Sequence, residues 1–459
     1  MEQQNDIIAE EKQISSLVEP ELDVSCYFDG DKFVPERLAN DIISKYIFLY
    51  KDDTLYFYEN GLYKPIRDVV YYEIKKRLGD KYSTFRHKET VADIKGQSIR
   101  PIDELPINYI NVRNGLFNLE TMELEPHDHK YFTITQINAE YYPEAEPVFF
   151  KKFLSEIVND DDATIIQEWF GYCLYRDYPF HKAIMLIGDG ANGKSTLIDI
   201  LRNFIGRENC SNVPLQQLSE RFALSALHGK MINYYSDLSS RAFTKTGEFK
   251  ILTGQDYLMA EKKFVQDRIQ FKNYAKLTFS CNKLPEVSGD DSDAFYRRWL
   301  FINFPNKFEG ENADKDILNK LDIAIERNGL FIWALEGLKR LMSQSGFSHS
   351  KTTDDLRAQY DRLSSPVKAF LMDVVEFSAE GRIPKQELYG NFIDYCRKNN
   401  IPGISKDKFF KDLSKEGNII TERPEINGKR VWCCLGIRYQ ENTEFNKNDP
   451  DDVDLSNYI

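Results

Sequence analysis

The residues best suited to chemistry lie mid-chain, where two glycines, a lysine and a serine follow each other at a characteristic spacing. The segment Gly188–Ser195 reads Gly-Asp-Gly-Ala-Asn-Gly-Lys-Ser, which is Gly-x4-Gly-Lys-Ser. It follows the apolar run Ala183–Ile187 and precedes the helix-like stretch Thr196–Leu201, so the pattern predicts a glycine-rich loop between a buried strand and a helix. Such a loop binds phosphate through inward-pointing backbone N–H groups and the helix N-terminus.

The residue types in this loop suit it to a nucleoside triphosphate. We expect the Lys194 ammonium to pair with the β- and γ-phosphates and the Ser195 hydroxyl to bind Mg²⁺. The alternative, a chance match in a glycine turn, is disfavoured because both flanking elements are correct. The predicted nucleotide-binding residues are Gly188, Asp189, Gly190, Ala191, Asn192, Gly193, Lys194, Ser195 and Thr196.

An acidic residue follows a second apolar run, Met231–Tyr235, where that predicted strand ends. Phosphate-binding loops of this kind require an acidic side chain at the end of a neighbouring strand, and Asp237 fits this position. We expect Asp237 to bind Mg²⁺ together with Ser195, or to orient the attacking water. A turn or helix N-cap aspartate is the alternative.

Two further polar features follow in sequence. Asn282, just after the apolar run Lys276–Ser280, could hydrogen-bond the γ-phosphate or its water, although such a residue in isolation is more often part of a turn. Arg297 and Arg298 precede the run Trp299–Phe304, and one of them could stabilise transition-state charge at a neighbouring subunit's γ-phosphate. An ordinary surface ion pair is the alternative. The predicted catalytic residues are therefore Lys194, Asp237, Asn282, Arg297 and Arg298.

A segment that mixes basic and aromatic residues lies between these features. Glu261–Lys272 reads Glu-Lys-Lys-Phe-Val-Gln-Asp-Arg-Ile-Gln-Phe-Lys. Basic side chains can follow the phosphates of a nucleic-acid strand while aromatic rings stack on bases or brace a hairpin. A solvated amphipathic hairpin is the alternative. The predicted DNA-binding residues are Lys262, Lys263, Phe264, Arg268 and Lys272.

The elements around these motifs predict an α/β protein with additional domains. Residues 146–342 alternate buried-strand runs with helical patterns, which is typical of a mostly parallel sheet covered on both faces. Residues 24–145 contain two Asn-Gly turns, at Asn60 and Asn114, each between short apolar segments, and predict an N-terminal α+β domain.

The remaining segments predict a linker, a small domain and two tails. Residues 343–365 begin with a serine-rich stretch that we interpret as a linker. Residues 366–440 predict two helices and a hairpin, an order typical of a winged-helix-like domain, which more often binds DNA but also serves as a protein contact. Residues 1–23 and 441–459 are predicted acidic tails.

Charge and cysteine content restrict the class of protein. The net charge is −13, but the tails hold seven acids with one lysine and six acids with one lysine, so residues 24–440 carry only −2 and can still present a local basic track. Seven scattered cysteines without a CxxC pair disfavour zinc and disulfides. No apolar run approaches the ~20 residues of a membrane span, and Met1–Pro20 lacks the features of a signal peptide.

The set and order of motifs resemble the helicase portion of the phage and plasmid (poxvirus-type) primase–helicase family, whose members are superfamily 3 helicases of the AAA+ class. The likeness covers about residues 105–340. It rests on Asn114–Leu119, Glu168–Tyr172, Asn192–Thr196, Gly229-Lys230, Lys250-x3-Gly254-x-Asp256, Ser280–Pro285 and the paired arginines before Phe304-Pro305.

This resemblance implies an AAA+ P-loop NTPase core and assigns roles to the motifs. The loop residues Gly188, Gly193, Lys194 and Ser195 match Walker A, Asp237 matches the Walker B acid, and Asn282 matches the sensor asparagine. Arg297 or Arg298 matches the arginine finger, and Lys250–Lys272 matches the motif with a DNA-gripping hairpin. In one departure, many relatives carry a glutamate or two acids where Ser236-Asp237 stands.

The resemblance also implies an activity. We expect an ATP- and Mg²⁺-dependent DNA helicase of viral, phage or plasmid replication, a hexameric ring that moves on single-stranded or forked DNA. A primase or polymerase is a further expected partner, and the host cytoplasm the expected location, without a membrane partner. The main alternative is an ATP-switched replication initiator or packaging factor that does not unwind DNA. A scaffold with a degenerate site is disfavoured by the intact Lys194 and Ser195, and a small-molecule kinase by Asn282 and the paired arginines.

Overall fold

The computed structural model describes residues 23–441, except for residues 67, 240–242, 262–267, 286, 288–291, 311–312, 315, 400, 402, 417–418 and 427–428. The chain divides into two compact units, Met1–Pro143 and Glu144–Ile459. Within the described residues, no helix combines the length and the apolar character that crossing a membrane requires.

The first unit contains small antiparallel sheets and helices. Its helices are α1 (Pro35–Lys45), α2 (Val69–Leu78) and α3 (Thr84–Gln97). Its strands are β1 (Phe28–Asp29), β2 (Lys32–Phe33), β3 (Phe48–Lys51), β4 (Thr54–Glu59), β5 (Leu62–Pro65), β6 (Asp103–Glu104), β7 (Tyr109–Val112), β8 (Gly115–Asn118), β9 (Glu123–Glu125) and β10 (Tyr131–Phe132). Three-stranded sheets form in the orders β3-β4-β5 and β7-β8-β9.

Both predicted hairpins of this unit are confirmed. Strands β4 and β5 pair at Glu59 and Leu62, and the two turn residues between them, Asn60 and Gly61, have positive φ angles of 50° and 82°. Such angles are required by the tight turn that matches strand twist, which is why Asn-Gly predicts it. Strands β7 and β8 also form a hairpin, but Val112 pairs with Gly115, so the two turn residues are Arg113 and Asn114 and Gly115 belongs to β8.

The second unit is built on a larger set of elements. Its helices are α4 (Val148–Ile157), α5 (Asp160–Leu174), α6 (Lys194–Ile205), α7 (Thr246–Leu252), α8 (Asp293–Tyr296), α9 (Ile317–Leu321), α10 (Ala324–Gln344), α11 (Thr353–Ser364), α12 (Pro366–Val374), α13 (Lys385–Lys398) and α14 (Lys406–Leu413). Its strands are β11 (Ala183–Ile187), β12 (Cys210–Ser211), β13 (Ile232–Tyr235), β14 (Tyr257–Glu261), β15 (Arg268–Lys272), β16 (Lys276–Cys281), β17 (Trp299–Asn303), β18 (Val375–Pro384), β19 (Ile420–Glu422), β20 (Glu425–Ile426), β21 (Lys429–Arg430) and β22 (Cys433–Tyr439).

A five-stranded parallel sheet, in the order β12-β13-β16-β11-β17, confirms the predicted parallel architecture. All five residues of β11 are buried, as the uninterrupted apolar run predicts for a central parallel strand. One face of β11, including Ile184, packs against Trp169 of α5 and Leu197 of α6. The other face, including Met185, joins a core that contains Phe249 of α7. Both faces are therefore covered.

Helices α5 and α10 approach each other closely because glycines stand at their contact. A Cβ on Gly171 would lie 2.4 Å from Ala334 O, and a Cβ on Gly337 would lie 2.3 Å from Gln167 O. Beside them the buried Glu168 accepts a hydrogen bond from Arg340 Nε at 2.7 Å. The Glu168–Tyr172 motif thus fixes the helix pair that packs on the sheet.

The C-terminal region differs in part from the prediction. The interpreted linker 343–365 contains α11, which begins at the capping box of Thr352 and Asp355. A linker was expected because its first half is serine-rich, but Leu356 and Tyr360 of α11 are buried in the core of the sheet domain. The predicted order of two helices and a hairpin in 366–440 is present as α13, α14 and β19–β22, preceded by α12 and β18. Strands β18, β22 and β19 form one antiparallel sheet.

Candidate nucleotide site and DNA-contact hairpin

The glycine-rich loop connects β11 directly to α6, as predicted. Its backbone turns through positive φ angles of 104° at Gly190, 49° at Ala191 and 88° at Gly193. These angles lie in the left-handed region that glycine adopts without steric cost. At Gly193 an added Cβ would also lie 2.8 Å from Ile157 Cγ2, so both space and conformation require glycine there.

The loop is fastened to neighbouring elements on both sides. Asn192 is buried and donates from Nδ2 to Phe304 O at 3.3 Å, just after β17. A Cβ on Gly188 would lie 2.9 Å from the same Phe304 oxygen. The Phe308 N–H donates to Ala191 O at 2.7 Å. These contacts hold the loop backbone in a defined shape, as a preorganised anion site needs.

Lys194, the first residue of α6, is 5% exposed and directed into this loop. Its Nζ donates to Gly188 O, to Asn192 Oδ1 at 2.9 Å and to Asn282 Oδ1 at 3.5 Å. Burial lowers the pKa of Lys194, whereas the nearby carboxylates of Asp189 and Asp237 act in the opposite direction. The ammonium is therefore held beside the loop and the end of β16 by neutral oxygens.

The predicted acidic and amide residues come to the same edge of the sheet as the loop. Strand β13 ends at Tyr235 and β16 ends at Cys281, so Asp237 and Asn282 both follow carboxyl ends of parallel strands. The segments are joined because Leu238 N–H donates to Ser280 O at 2.9 Å, and Ser280 Oγ donates to Ser236 O at 2.6 Å. Asp237 is exposed.

A metal ion would find few protein ligands here. Ser195 is exposed in the first turn of α6, and Asp237 is exposed at the same edge of the sheet. No group of three or more His, Cys, Asp or Glu side chains that could hold a metal occurs in the described parts of the chain. This donor set suits Mg²⁺, which is commonly bound through one or two protein oxygens together with substrate phosphates.

A cavity of about 220 Å³ adjoins the loop, and its walls are partly apolar and partly polar, with Glu156 and Asp314 among the lining residues. Its lining includes Phe153 and Ile157 of α4, Phe308, and Ile317 of α9, together with Gly193 and Thr196 of the loop and α6. Aromatic and aliphatic walls next to a phosphate site suit a flat heteroaromatic base. The sequence showed Phe153 and Ile157 only as apolar positions of a helix, and Phe308 carried no signal, so this cavity was missed.

The two arginines occupy different environments at the opposite edge of the sheet. Arg298 is buried and donates from Nε to Thr253 Oγ1 at 2.9 Å and from Nη1 to Ala294 O. Burial lowers the pKa of Arg298, and the adjacent Arg297 acts in the same direction. Arg297 is exposed. Both precede β17, whereas the loop follows β11, so neither lies at the loop's edge within one chain.

The described residues of the predicted basic segment Glu261–Lys272 are the last residue of β14 and all of β15. These two strands pair antiparallel, with Glu261 opposite Arg268 and Tyr257 opposite Lys272. Lys262, Lys263 and Phe264 lie outside the described residues. Arg268 Nη2 is 3.3 Å from Glu261 Oε1, and Lys272 Nζ is 4.9 Å from the centre of the Tyr257 ring.

The two faces of this hairpin differ in exposure. Leu258, Ala260 and Phe271 are buried on one face. On the other face, Tyr257 is 66% exposed and Met259 is 58% exposed. The exposed face therefore presents an aromatic ring and a thioether next to the Lys272 cation.

Two sequence families match separate parts of the chain. Residues 35–159 match the family described as "D5 N terminal like", and residues 186–298 match a family of unknown function, DUF5906. The second match includes the loop, Asp237, Asn282 and Arg297. The first includes most of the N-terminal unit and helix α4.

A curated relative and solved structures were also found. The chain is 26% identical over 299 residues to the Acanthamoeba polyphaga mimivirus protein named "Putative helicase L207/L206", a match that covers 60% of this chain. This chain spans only 30% of that relative's length. Two apo structures of the NrS-1 C-terminal region share 14% and 13% identity, with TM-scores of 0.46 and 0.45; each match covers 88% of this chain and 99% of the structure.

The sequence matches agree with the order of motifs along the chain. The D5-type region precedes the loop domain, and the viral helicase is similar over more than half of the chain. Together, the D5-type match and the viral relative fit a viral or phage primase–helicase family.

Proposed function

We propose that this chain is an ATP-dependent DNA helicase that acts in the replication of a virus, phage or plasmid. The observation that carries the proposal is the convergence of Lys194, Asn282 and Asp237 at one edge of the parallel sheet, next to a loop preorganised for phosphate. Phosphoryl transfer requires little covalent chemistry from the protein, so positioning and charge stabilisation at such an edge can account for hydrolysis.

In this proposal the triphosphate lies along the loop. Backbone N–H groups from Gly190 to Ser195 bind its oxygens, and Lys194 exchanges its carbonyl and amide partners for the β- and γ-phosphates. Ser195 and Asp237 hold Mg²⁺, which when bound neutralises charge on the phosphates. Asn282 orients the attacking water or the γ-phosphate, and Asp237 acts on the same water.

The base of the nucleotide would occupy the cavity beside Phe153 and Phe308. That cavity has aromatic and aliphatic residues on part of its wall and shares Gly193 and Thr196 with the phosphate loop, so one ligand can extend across both. Apolar walls stabilise a purine ring through burial of its faces. The cavity thereby supports a nucleotide ligand over free phosphate.

Charge stabilisation at the γ-phosphate would come from a second copy of the chain. Arg297 is exposed and stands at the edge opposite the loop, whereas Arg298 is engaged within its own core. We therefore assign the arginine finger to Arg297. A finger supplied by a neighbour at each site leads to a closed ring, and we propose a homohexamer of the AAA+ type.

The β14–β15 hairpin would contact single-stranded DNA in the channel of such a ring. Its exposed face presents Tyr257 and Met259 with Lys272 beside them. Aromatic stacking and phosphate contacts are the usual means of holding a single strand without sequence preference. Movement of this hairpin with the nucleotide state would pull the strand.

The second candidate is an ATP-switched replication initiator or packaging factor. It is supported by the same nucleotide site and hairpin, because binding alone could change the ring's grip on DNA. The two candidates differ only in strand separation.

The test is unwinding of a labelled forked DNA duplex with Mg²⁺ and ATP. We expect the wild-type chain to hydrolyse ATP and to separate the strands. The Lys194→Ala variant should show neither activity. Lys339→Ala, an exposed lysine on α10 away from the loop, is the matched control and should behave as wild type. Hydrolysis by wild type without strand separation would reject the helicase in favour of the switch.

A further inference from the structure

A second cluster of cations lies far along the chain from the nucleotide site, in the C-terminal region. A cavity of about 400 Å³, here called the C-terminal cleft, is lined by Pro384, Lys385, Gln386, Lys406, Arg423, Arg430, Val431 and Trp432. Four of these residues are cations, and none of the described lining residues is acidic. The cleft therefore presents concentrated positive charge in a chain whose net charge is −13.

The cleft is shaped by hydrogen bonds between its walls. Lys385, the first residue of α13, donates its backbone N–H to Trp432 O at 2.8 Å. Arg423 Nε donates to Arg430 O at 3.4 Å, and Val431 N–H donates to Pro424 O at 3.1 Å. These bonds place the start of α13 against the segment that leads into β22. The cations are thus gathered by the fold from separate parts of the sequence.

The charge in the cleft is left available to a ligand. Among described residues, no carboxylate lies within ion-pair distance of Lys385, Lys406, Arg423 or Arg430. Lys385 Nζ instead lies 4.0 Å from the centre of the Phe410 ring. Glu387, in the first turn of α13, and Asp407, in the first turn of α14, are not among the residues that line the cleft. Unpaired like charges held together repel each other, and an anionic ligand removes that cost.

An exposed tryptophan adds a second kind of contact. Trp432 is 52% exposed, although a large aromatic side chain is usually better buried. In sequence it lies between Arg430 and β22, and it lines the cleft together with the four cations. A flat exposed ring beside cations can stack on a base while the cations bind the flanking phosphates. A purely anionic ligand, such as an acidic peptide, would leave the indole face unused.

We propose that the C-terminal cleft binds a single strand of nucleic acid, with phosphates on the four cations and one base stacked on Trp432. The proposal rests on the proposed function, in which the chain acts on DNA, and adds a contact separate from the β14–β15 hairpin.

The test is single-stranded DNA binding by the full chain, measured by fluorescence anisotropy of a labelled oligothymidylate across a salt series. Lys406→Gln with Arg430→Gln should lower affinity and reduce the salt slope by about 1.4, since each phosphate contact on a single strand contributes about 0.7. Both positions are exposed, so folding is not at risk. Lys408→Gln, exposed on the same helix but outside the cleft, is the matched control and should bind as wild type.

The aromatic contact has its own variants. Trp432→Ala should weaken binding about ten-fold, and Trp432→Phe should retain most of the affinity because a ring remains to stack. Near-wild-type affinity in both the double variant and Trp432→Ala would overturn the cleft while leaving the helicase proposal intact. Equal competition by duplex and single strand would overturn the strand assignment. If the wild-type chain binds no single-stranded DNA, the proposed helicase function is overturned, and the cleft proposal is overturned with it.

Discussion

Lys194 is almost fully buried, yet its ammonium is surrounded by neutral oxygens from Gly188, Asn192 and Asn282. Burying a charge without an opposite charge is unfavourable, which is why its pKa falls. A triphosphate would supply the missing negative charge at the position where the ammonium is already held. The nearby carboxylates of Asp189 and Asp237 offset this effect in part, and a bound phosphate would add to their stabilisation of the ammonium.

This account predicts that a carboxylate next to Lys194 competes with phosphate. Asn192→Asp would place a carboxylate next to the Lys194 ammonium. The variant should bind MgATP about ten-fold more weakly or worse, because the triphosphate would have to displace that carboxylate from Lys194. Asn192→Ala removes the same amide without adding charge and should lose less affinity. Calorimetric titration with MgATP measures both. Equal affinities for Asn192→Asp and wild type would contradict the role given to Lys194.

Substitution of the two arginines is predicted to affect different properties: ATP hydrolysis for Arg297 and stability for Arg298. Arg297→Ala should leave thermal unfolding unchanged and lower kcat for ATP by a factor of about 10³, the usual worth of a finger. Arg298→Ala should lower the free energy of unfolding by about 1–3 kcal/mol, because Thr253 Oγ1 and Ala294 O lose a buried donor. The assignment would be wrong if Arg298→Ala lost hydrolysis without losing stability, or if Arg297→Ala lost stability without losing hydrolysis.

The sequence predicts the loop residues, Asp237 and Asn282, because each follows an apolar run at a fixed place. It could not separate Arg297 from Arg298, since their difference is burial by α7 and α8, which is a tertiary property. It also missed Phe153 and Phe308, because apolar residues lining a cavity have the same pattern as apolar residues filling a core.

At the scale of elements, the β14–β15 hairpin has one face in the core and one face exposed. Arg268 is paired with Glu261, which also pairs with Arg221 at 2.7 Å. Lys272 Nζ lies over the ring of Tyr257 and forms no ion pair with any residue that the structure describes. A hairpin was predicted from the family resemblance of Lys250–Lys272 and not from alternation, because β14 reads Tyr-Leu-Met-Ala-Glu. The ion pairs were not predictable, because Arg221 comes from a distant segment.

The difference between these cations predicts an order of effects on DNA binding. Lys272→Ala and Tyr257→Ala should each weaken binding to single-stranded DNA, with Lys272→Ala also reducing the salt slope by about 0.7. Arg268→Ala should weaken binding less, because its charge is already engaged. Anisotropy with a labelled single strand ranks the variants. A larger loss in Arg268→Ala than in Lys272→Ala would contradict this order.

In the N-terminal unit, helices α1 and α2 are joined through a buried arginine. Arg77 is 1% exposed, donates from Nε to Asp41 Oδ2 at 2.5 Å and also donates to Glu73. Burial raises the pKa values of both carboxyls, but hydrogen bonds from Arg77, Tyr27 and Tyr46 outweigh it and hold them below their usual values. Removing one partner of such a group leaves buried charge uncompensated.

This arrangement predicts acid sensitivity of the unit. Because the folded-state pKa values are depressed, the stabilisation is complete above the usual values of 3.8 and 4.5 and is lost as pH falls through the lower folded values. Arg77→Met should cost about 3 kcal/mol or more at pH 7. Denaturant unfolding at pH 7 and near pH 3 should show a smaller pH dependence in the variant; an unchanged dependence would contradict the linkage.

At the scale of the molecule, one chain does not bring all the predicted catalytic residues together. Arg297 precedes β17 and the phosphate loop follows β11, at opposite edges of the same parallel sheet. Five residues of strand separate these edges by about 16 Å. If Arg297 is the arginine finger, as we propose, it would therefore act on the loop of a second chain. Sequence order alone gave the fold class, because apolar runs alternate with helical patterns, but it did not reveal α11, α12 or β18.

An assembled site predicts that activity depends on concentration. The rate of ATP hydrolysis per chain should rise with protein concentration until the ring is populated. Mixing Lys194→Ala with Arg297→Ala should restore part of the activity, because one junction can then combine an intact loop with an intact finger. Hydrolysis that is proportional to concentration at all dilutions, with no rescue in the mixture, would place the whole site in one chain.

The central claim is that ATP hydrolysis at the Gly188–Ser195 loop is coupled to a bound DNA strand. The most direct measurement is the steady-state ATP hydrolysis rate of the wild-type chain, with Mg²⁺, as single-stranded DNA is titrated in. We predict a saturable increase in rate that Lys194→Ala abolishes. A rate that stays the same from zero to saturating DNA would contradict the claim.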